Sequence, residues 1–182
     1  MVQLALRSIP SSRASTRTGF TLIEMIAVVV VLGVLSVSAA VSLSGNPAAR
    51  SRAAAALIAR DLAFARERAL ASGNPTWVVF SVASNSYSVL AENPAAPGRV
   101  GALTLTDPAT GRPMVASLTD PVFADVTIVS VSIAGGGNDL GFDWMGRPVN
   151  ASGTRLTSAV TVTLSPSQTI TIAAGAGTVS VP

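Results

Sequence analysis

The sequence predicts an α+β protein: a long N-terminal helix followed by a small antiparallel β domain made of two packed sheets. Three observations support this prediction. The stretch 25–43 is apolar and uncharged, and residues 48–71 carry apolar side chains at helical spacing. After Pro75 the chain alternates apolar residues with Thr and Ser. Helical spacing followed by alternation is typical of helices and strands that lie in separate parts of the chain.

The N-terminus predicts a leader followed by a retained membrane helix. Residues 1–19 are polar, contain three Arg and have no acidic residue. The apolar stretch 25–43 exceeds the core of a secretory signal, and no small-residue cleavage motif follows it. As a helix it would be roughly 28 Å long, close to the thickness of a bilayer's hydrocarbon core. We therefore expect 1–19 to be a cleaved leader and 20–44 to be the transmembrane half of the N-terminal helix.

Residues 45–75 predict the amphipathic half of that helix. Pro47 is expected to kink or loosen the helix. Beyond it, one face carries a buried stripe at spacings of four, three and four: Ile58, Leu62, Ala65 and Ala69. Leu57 and Phe64 form a second stripe, which could meet neighbouring helices or be covered by the chain's own domain. The run 72–75, Ser-Gly-Asn-Pro, predicts the end of the helix.

Residues 76–182 predict the β domain, with one face of its sheet buried. The first hairpin is expected from strands 77–82 and 87–90, and a further strand from 100–106. Clean alternation predicts another strand at 129–133, before a glycine loop. Three more alternating runs occur at 160–164, 170–172 and 179–181. Residues 91–99 and 107–125 are rich in Pro, Ala and Asp and are expected to form loops.

The composition excludes several classes of chemistry. The chain has no Cys and no His, and all twelve basic residues are Arg. Disulfides, thiol catalysis and the familiar nucleophile–base pairs are therefore unavailable. Asn138, Asp139 and Asp143 could offer oxygen ligands, but their spacing does not fit an EF-hand loop, so a solvated turn is the preferred interpretation. We expect no enzyme, no catalytic residue, no metal and no cofactor.

The charge distribution argues against a nucleic-acid partner despite a sequence pI of about 11.0. Three of the twelve Arg lie in the leader and five lie in 50–72, whereas 76–182 has four Arg against six acids, a net −2. DNA is therefore not an expected partner of the distal domain. Arg on both sides of the apolar stretch leaves the membrane orientation open on charge alone.

The run Gly19-Phe20-Thr21-Leu22-Ile23-Glu24 resembles the processing motif of type IV pilins and type II secretion pseudopilins. The resemblance implies that a prepilin peptidase cuts after Gly19 and that Phe20 becomes the N-methylated first residue. The one departure is Thr18, because a basic residue often precedes the glycine in that family. The resemblance also implies an inner-membrane protein with its C-terminal domain in the periplasm.

Glu24 requires an explanation because a charge inside a membrane helix is costly. It lies one helical turn from Phe20, about 6 Å along the axis. The family resemblance implies that Glu24 offsets the N-terminal ammonium of a neighbouring subunit and sets the register of assembly. The alternative is a capping box, Thr21-x-x-Glu24, which satisfies the helix's own first amides. The two roles are compatible.

A second resemblance is to the GspH/FimT group. It rests on the helix-to-strand passage 61–80, on the turn 142–148 with its Gly-Arg-Pro, and on the closing runs 170–172 and 177–181. The implied function is a minor pseudopilin of a type II secretion system that assembles with other pseudopilins. The alternatives are a FimT-type minor pilin, in pilus priming or DNA uptake, and a single-pass membrane protein with a periplasmic binding domain.

Overall fold

The computed structural model of the chain describes residues 22–43 and 46–182, and for 33–43 it describes the helical backbone without the side chains. The chain divides into two compact units, Met1–Ser44 and Gly45–Pro182. The predicted leader and Phe20 lie outside the described residues, as does part of the interruption expected at 45–47.

The first unit contains helix α1, Leu22–Leu43. Its sequence is rich in Val, Leu and Ile, and Glu24 is its only charged residue. Among the described residues, no helix is long and apolar enough to cross a membrane. The predicted transmembrane half of the N-terminal helix therefore stays a prediction.

Helix α2, Pro47–Ser72, begins and ends where its sequence signals predict. Asn46 has an extended backbone and its side chain accepts a hydrogen bond from the Ala48 N–H, while Pro47 occupies the first turn, where no N–H is needed. Gly73 ends the helix at φ +69°, and its N–H donates to the carbonyl of Ala69. A left-handed residue at this position is the usual helix stop and favours glycine.

The strands form two antiparallel sheets, as predicted. The strands of sheet I are β1 Thr76–Ser81, β2 Ser86–Ala91, β3 Leu103–Thr104, β4 Val115–Ser117, β6 Asp139–Phe142 and β7 Pro148–Val149. Those of sheet II are β5 Thr127–Ser132, β8 Val160–Ser165, β9 Gln168–Ile172 and β10 Val179–Ser180. Sheet I has the order β3-β2-β1-β6-β7, and β4 also pairs with β2. Sheet II has the order β10-β9-β8-β5.

The predicted hairpin of β1 and β2 is confirmed, with Phe80 opposite Tyr87. The strand expected over 100–106 is wrong for most of its length. Residues Arg99–Gly101 form a 3₁₀ turn, and only Leu103–Thr104 pairs with β2. The other half of that edge of β2 is occupied by β4, which arises from a segment predicted to be a loop.

One hydrophobic core joins α2 to both sheets. The predicted stripe of α2 is fully buried: Ile58, Leu62, Ala65 and Ala69. It lies in the same cluster as alternate residues of sheet I, such as Val78 and Val89, and of sheet II, such as Val162 and Ile170. Thr76 fastens β1 to the helix, because its buried hydroxyl donates to the carbonyl of Ala65 at 2.7 Å. The second compact unit is thus one helix and two sheets built around a shared core.

Asn85, in the β1–β2 turn, connects the two sheets. Its backbone is left-handed, with φ +50°. Its side chain accepts from the N–H of Ile128 and donates to the carbonyl of Val126, both at 2.8 Å. These bonds satisfy backbone groups at the start of β5, an edge strand that would otherwise leave them open.

Candidate functional site

The predicted assembly residue, Glu24, lies exposed in the first turn of α1. A carboxylate is favourable at this position, because the N-terminus of a helix carries partial positive charge. Gly19, Phe20 and Thr21 lie outside the described residues. The cleavage site and both proposed roles of Glu24 therefore stay predictions.

Apart from Glu24, the first turns of α1 present apolar side chains on all sides. Every residue from Leu22 to Leu32 is exposed within its unit, including Leu22 at 79 % and Ile23 at 76 %. An apolar groove runs along one face, lined by Leu22, Met25, Ile26, Val29 and Val30. An exposed apolar surface of this extent is typical of a site that contacts lipid or another protein.

The second unit contains a buried carboxylate, Asp61 of α2, which is 5 % exposed. Tyr87 of β2 donates its hydroxyl to Oδ2 at 2.7 Å. Arg60 donates to Oδ1 through Nε at 3.0 Å and through Nη2 at 2.8 Å. Both carboxylate oxygens are therefore satisfied, as a buried charge requires.

This cluster stabilises the packing of the helix on the sheet. Burial, followed by the charge of Asp61 and its hydrogen bond, raises the pKa of Tyr87 far above its ordinary value. Tyr87 therefore keeps its proton at physiological pH and remains a donor to Asp61. Arg60 stands at the rim, with 69 % of its side chain exposed.

The second stripe of α2 lies against the chain's own segment 103–116. Leu57 and Phe64 are half-buried. Leu57 lines a cavity of about 200 Å³ together with Met114 and Val115. Phe64 lines a groove of about 550 Å³ together with Leu103 and Leu105. Of the two alternatives for this stripe, the structure supports partial cover by the same domain.

The acids near the glycine loop have separate partners. Asp139 pairs with Arg99 at 2.7 Å. Asp143 pairs with Arg147 at 2.7 Å. Burial raises the pKa of Asp143, but hydrogen bonds from Arg147 and Met145 outweigh that effect and lower it overall. Within the part of the chain that the structure describes, no His, Cys, Asp and Glu side chains group in threes to hold a metal ion.

Sequence reasoning missed the pairing of Asp61 with Tyr87. One signal was available: Tyr87 occupies an inward-facing position in β2, two residues before Val89, and a buried phenol normally needs a polar partner. The partner itself could not be identified, because it lies 26 residues away in another element.

Comparison with known proteins gives one N-terminal sequence motif and one shared fold. The prokaryotic N-terminal methylation motif matches residues 15–40, which include the predicted cleavage site and Glu24. No curated protein shows significant sequence similarity to the chain.

Two structures of the minor pseudopilin EpsH from the type II secretion system of Vibrio cholerae share the fold. Each is 12 % identical to this chain with a TM-score of 0.53. The first similarity covers 73 % of this chain and 96 % of EpsH, and the second covers 72 % and 92 %. At this identity the likeness establishes the fold. The N-terminal methylation motif and the fold of a long helix followed by antiparallel sheets both agree with what the sequence predicted.

Proposed function

We propose that this protein is a minor pseudopilin of a type II secretion system, of the H type, which assembles through its N-terminal helix into the periplasmic pseudopilus. One observation carries the proposal. A pilin methylation motif over 15–40 is joined, in one chain, to a domain with the fold of a minor pseudopilin. The motif supports the route into the filament, and the fold supports the type of subunit.

In this proposal α1 is both anchor and assembly element. A prepilin peptidase removes 1–19 and Phe20 becomes the methylated N-terminus. The apolar segment holds the chain in the inner membrane as a single pass, with the C-terminal domain in the periplasm. As subunits add, α1 exchanges lipid for the helices of its neighbours, which fits the exposed apolar surface of Leu22–Leu32, where Glu24 is the one charged residue.

Glu24 then acts between subunits. Moving its charge into the bilayer would cost roughly 2.5–3.5 kcal/mol at mid-span and less near a helix end. The N-terminal ammonium of an adjacent chain would offset that cost only in one axial position. The carboxylate would therefore select the register in which a subunit joins the filament.

The proposed activity is assembly, without catalysis. The chain lacks His, Cys and Lys, and the buried Asp61 and Tyr87 satisfy one another and Arg60. Other pseudopilins, the peptidase and the inner membrane are the partners this function requires.

N-terminal processing tests the proposal. Mass spectrometry of the membrane fraction should find a mature chain that starts at methylated Phe20. Gly19→Leu should leave the precursor uncut, because the peptidase must fit the residue before the cut. Thr18→Ala, one position earlier, is the matched control and should be processed normally. A mature chain that begins near Ala40, or efficient cleavage of Gly19→Leu, would contradict the assignment.

A further inference from the structure

Sheet I buries a tryptophan on the face that points away from α2. Trp77 of β1 is 2 % exposed and lies opposite Leu90 of β2 and Gly141 of β6. The next residue, Val78, belongs to the core shared with α2, and Trp77 does not. Because successive strand residues point to opposite faces, Trp77 lies on the outer face of sheet I. A side chain there is buried only if another segment of the chain covers it.

The segment 92–102 crosses this outer face, and we call it the strap. It begins at the end of β2, and its Arg99 pairs with Asp139 of β6 at 2.7 Å. Strand β1 lies between β2 and β6, so the strap crosses the strand that carries Trp77. Asp139 shares its face with Gly141, where an added Cβ would lie 2.7 Å from the indole of Trp77. The strap therefore covers Trp77.

The strap is compact and closed at its base. Ala91 pairs with Leu103, so its two ends lie side by side. Asn93 and Ala96 form a bridge within it, and Gly101 lies so close to the carbonyl of Ala96 that no side chain fits between them. Loops of roughly 6–16 residues with adjoining ends and internal packing form compact surface units. The strap can therefore move as one body.

The strap contributes little buried apolar surface. None of its residues, all of which the structure describes, reaches the hydrophobic core, and Val100 is 99 % exposed. Much of its attachment to the outer face is therefore the ion pair of Arg99 with Asp139. Segments with few buried apolar contacts open locally at a lower free energy than the whole domain.

The closed strap also leaves one polar group unsatisfied. Among the described residues, Nε1 of Trp77 has no hydrogen-bond partner. A buried indole N–H usually finds a partner, and an unpaired buried donor raises the free energy of the state that contains it. Water can accept from this N–H once the strap lifts. Opening therefore recovers part of the free energy that breaking the ion pair costs.

We propose that the strap is a hinged cover, fastened by Arg99 and Asp139, which opens while the rest of the domain stays folded. Closed, it hides Trp77. Open, it exposes an aromatic and apolar surface on sheet I that includes Trp77 and Leu90. The ion pair thus controls whether the domain displays this surface. The inference concerns the second unit by itself and does not depend on the proposed function.

Thiol labelling tests the cover in the full-length protein in detergent micelles. The chain has no Cys, so one introduced thiol reports a single site. Leu90→Cys places it beneath the strap, opposite Trp77. Val78→Cys places it in the core against α2, where only unfolding of the domain admits the reagent. A water-soluble thiol reagent should label position 90 much faster than position 78.

Arg99→Gln should then raise the labelling rate at position 90 roughly tenfold, because the charged contact that favours the closed strap is lost. The rate at position 78 should not change. Arg112→Gln is the matched control, since Arg112 is exposed and has no ion pair among the described residues, and it should alter neither rate. Equal rates at 90 and 78 would overturn the proposal, and so would a rate at 90 that Arg99→Gln leaves unchanged.

A second measurement needs no introduced thiol. Trp144→Phe leaves Trp77 as the only tryptophan, so its fluorescence reports on the covered site alone. Acrylamide is neutral, and its approach is not altered by a change of charge at position 99. Quenching of Trp77 should be weak in this chain and should increase when Arg99→Gln is added. Strong quenching with Arg99 in place would show that the strap does not cover Trp77, and equal quenching in both chains would show that the ion pair does not fasten it.

Discussion

Of the residues that the structure describes, Asp61 is the single buried acid. A charge there is tolerated because Tyr87 and Arg60 supply three donors to its two oxygens. Losing one partner of a buried carboxylate costs far more than losing a surface pair, since the remaining charge stays desolvated. The Tyr87 hydroxyl should therefore make a measurable contribution to stability.

Tyr87→Phe should lower the free energy of unfolding by about 1–3 kcal/mol, because Asp61 Oδ2 loses its donor while the rings remain similar in size. Urea unfolding of residues 46–182 at neutral pH would measure this. The matched control is Asp125→Asn, which removes a pair with Arg50 of 3.4 Å on a carboxylate that is 74 % exposed. That change should stay within about 0.5 kcal/mol. Equal stability of the two variants would show that the buried contact contributes nothing.

The raised pKa of Tyr87 also predicts that the stability of the folded protein decreases at alkaline pH. The folded-state pKa of Tyr87 is raised, so the folded protein holds the proton where the unfolded chain releases it, near pH 10. Stability is then intact below about pH 10 and falls as the pH rises above it. Tyr87 is the only tyrosine, so the ultraviolet absorbance of tyrosinate reports on it alone. The absorbance should appear together with unfolding, whereas ionisation within the folded protein near pH 10 would contradict the assigned burial.

At the scale of the elements, the sequence predicted α2 well and the short strands poorly. Asn46, Pro47 and Gly73 fix the ends of α2 through local backbone chemistry, and the buried stripe follows from helical geometry. The prediction of a strand over 100–106 was wrong because two segments of the chain compete to pair with the same edge of β2. Two short segments, β3 and β4, share the outer edge of β2, and nothing within 100–106 reveals the second. Alternation locates a strand but does not show how much of its neighbour is free to pair.

Helix α1 leads to a prediction about Glu24. Glu24→Val removes the only charge of α1, so the variant should insert into the membrane at least as well as before and should still be cleaved after Gly19. If the carboxylate sets the register between subunits, co-purification with other pseudopilins should fall sharply. Glu67→Val is a suitable control, because Glu67 is exposed on α2 in the second unit. Unchanged assembly of Glu24→Val would leave Glu24 with the capping-box role alone.

At the scale of the whole molecule, the sequence predicted the two-sheet architecture but not the order of the strands. Sheet I places β6 beside β1, although residues 82–138 separate them along the chain. That pairing arises from burial against α2, where Leu140 and Phe142 join Val78 in the core. It also follows that α2 belongs to the folding unit, since removing it would expose the apolar faces of both sheets.

The charges of the whole domain give the last prediction, which separates the secretion pseudopilin from a DNA-uptake pilin. Residues 46–182 carry nine Arg and eight acids, a net +1. Four of these Arg are paired with Asp, and Arg66 is bonded to carbonyls. The described contacts leave Arg52, Arg68, Arg112 and Arg155 available. Arg52 and Arg68 lie sixteen residues apart on α2, which places them about 160° apart around the helix, so they point to nearly opposite sides and do not form one phosphate-binding patch.

Because non-specific affinity for DNA grows with the number of phosphates neutralised together, residues 46–182 should show no appreciable binding to duplex DNA at physiological salt. Binding isotherms at several salt concentrations would measure this. Arg52→Ala combined with Arg68→Ala provides a matched control, which should behave as the unaltered domain does. Tight binding that weakens steeply with salt and is lost in the double variant would indicate that α2 presents a basic surface after all, and it would favour the DNA-uptake pilin. Absence of binding would favour the secretion pseudopilin only modestly, because a subunit that primes a pilus need not contact DNA either.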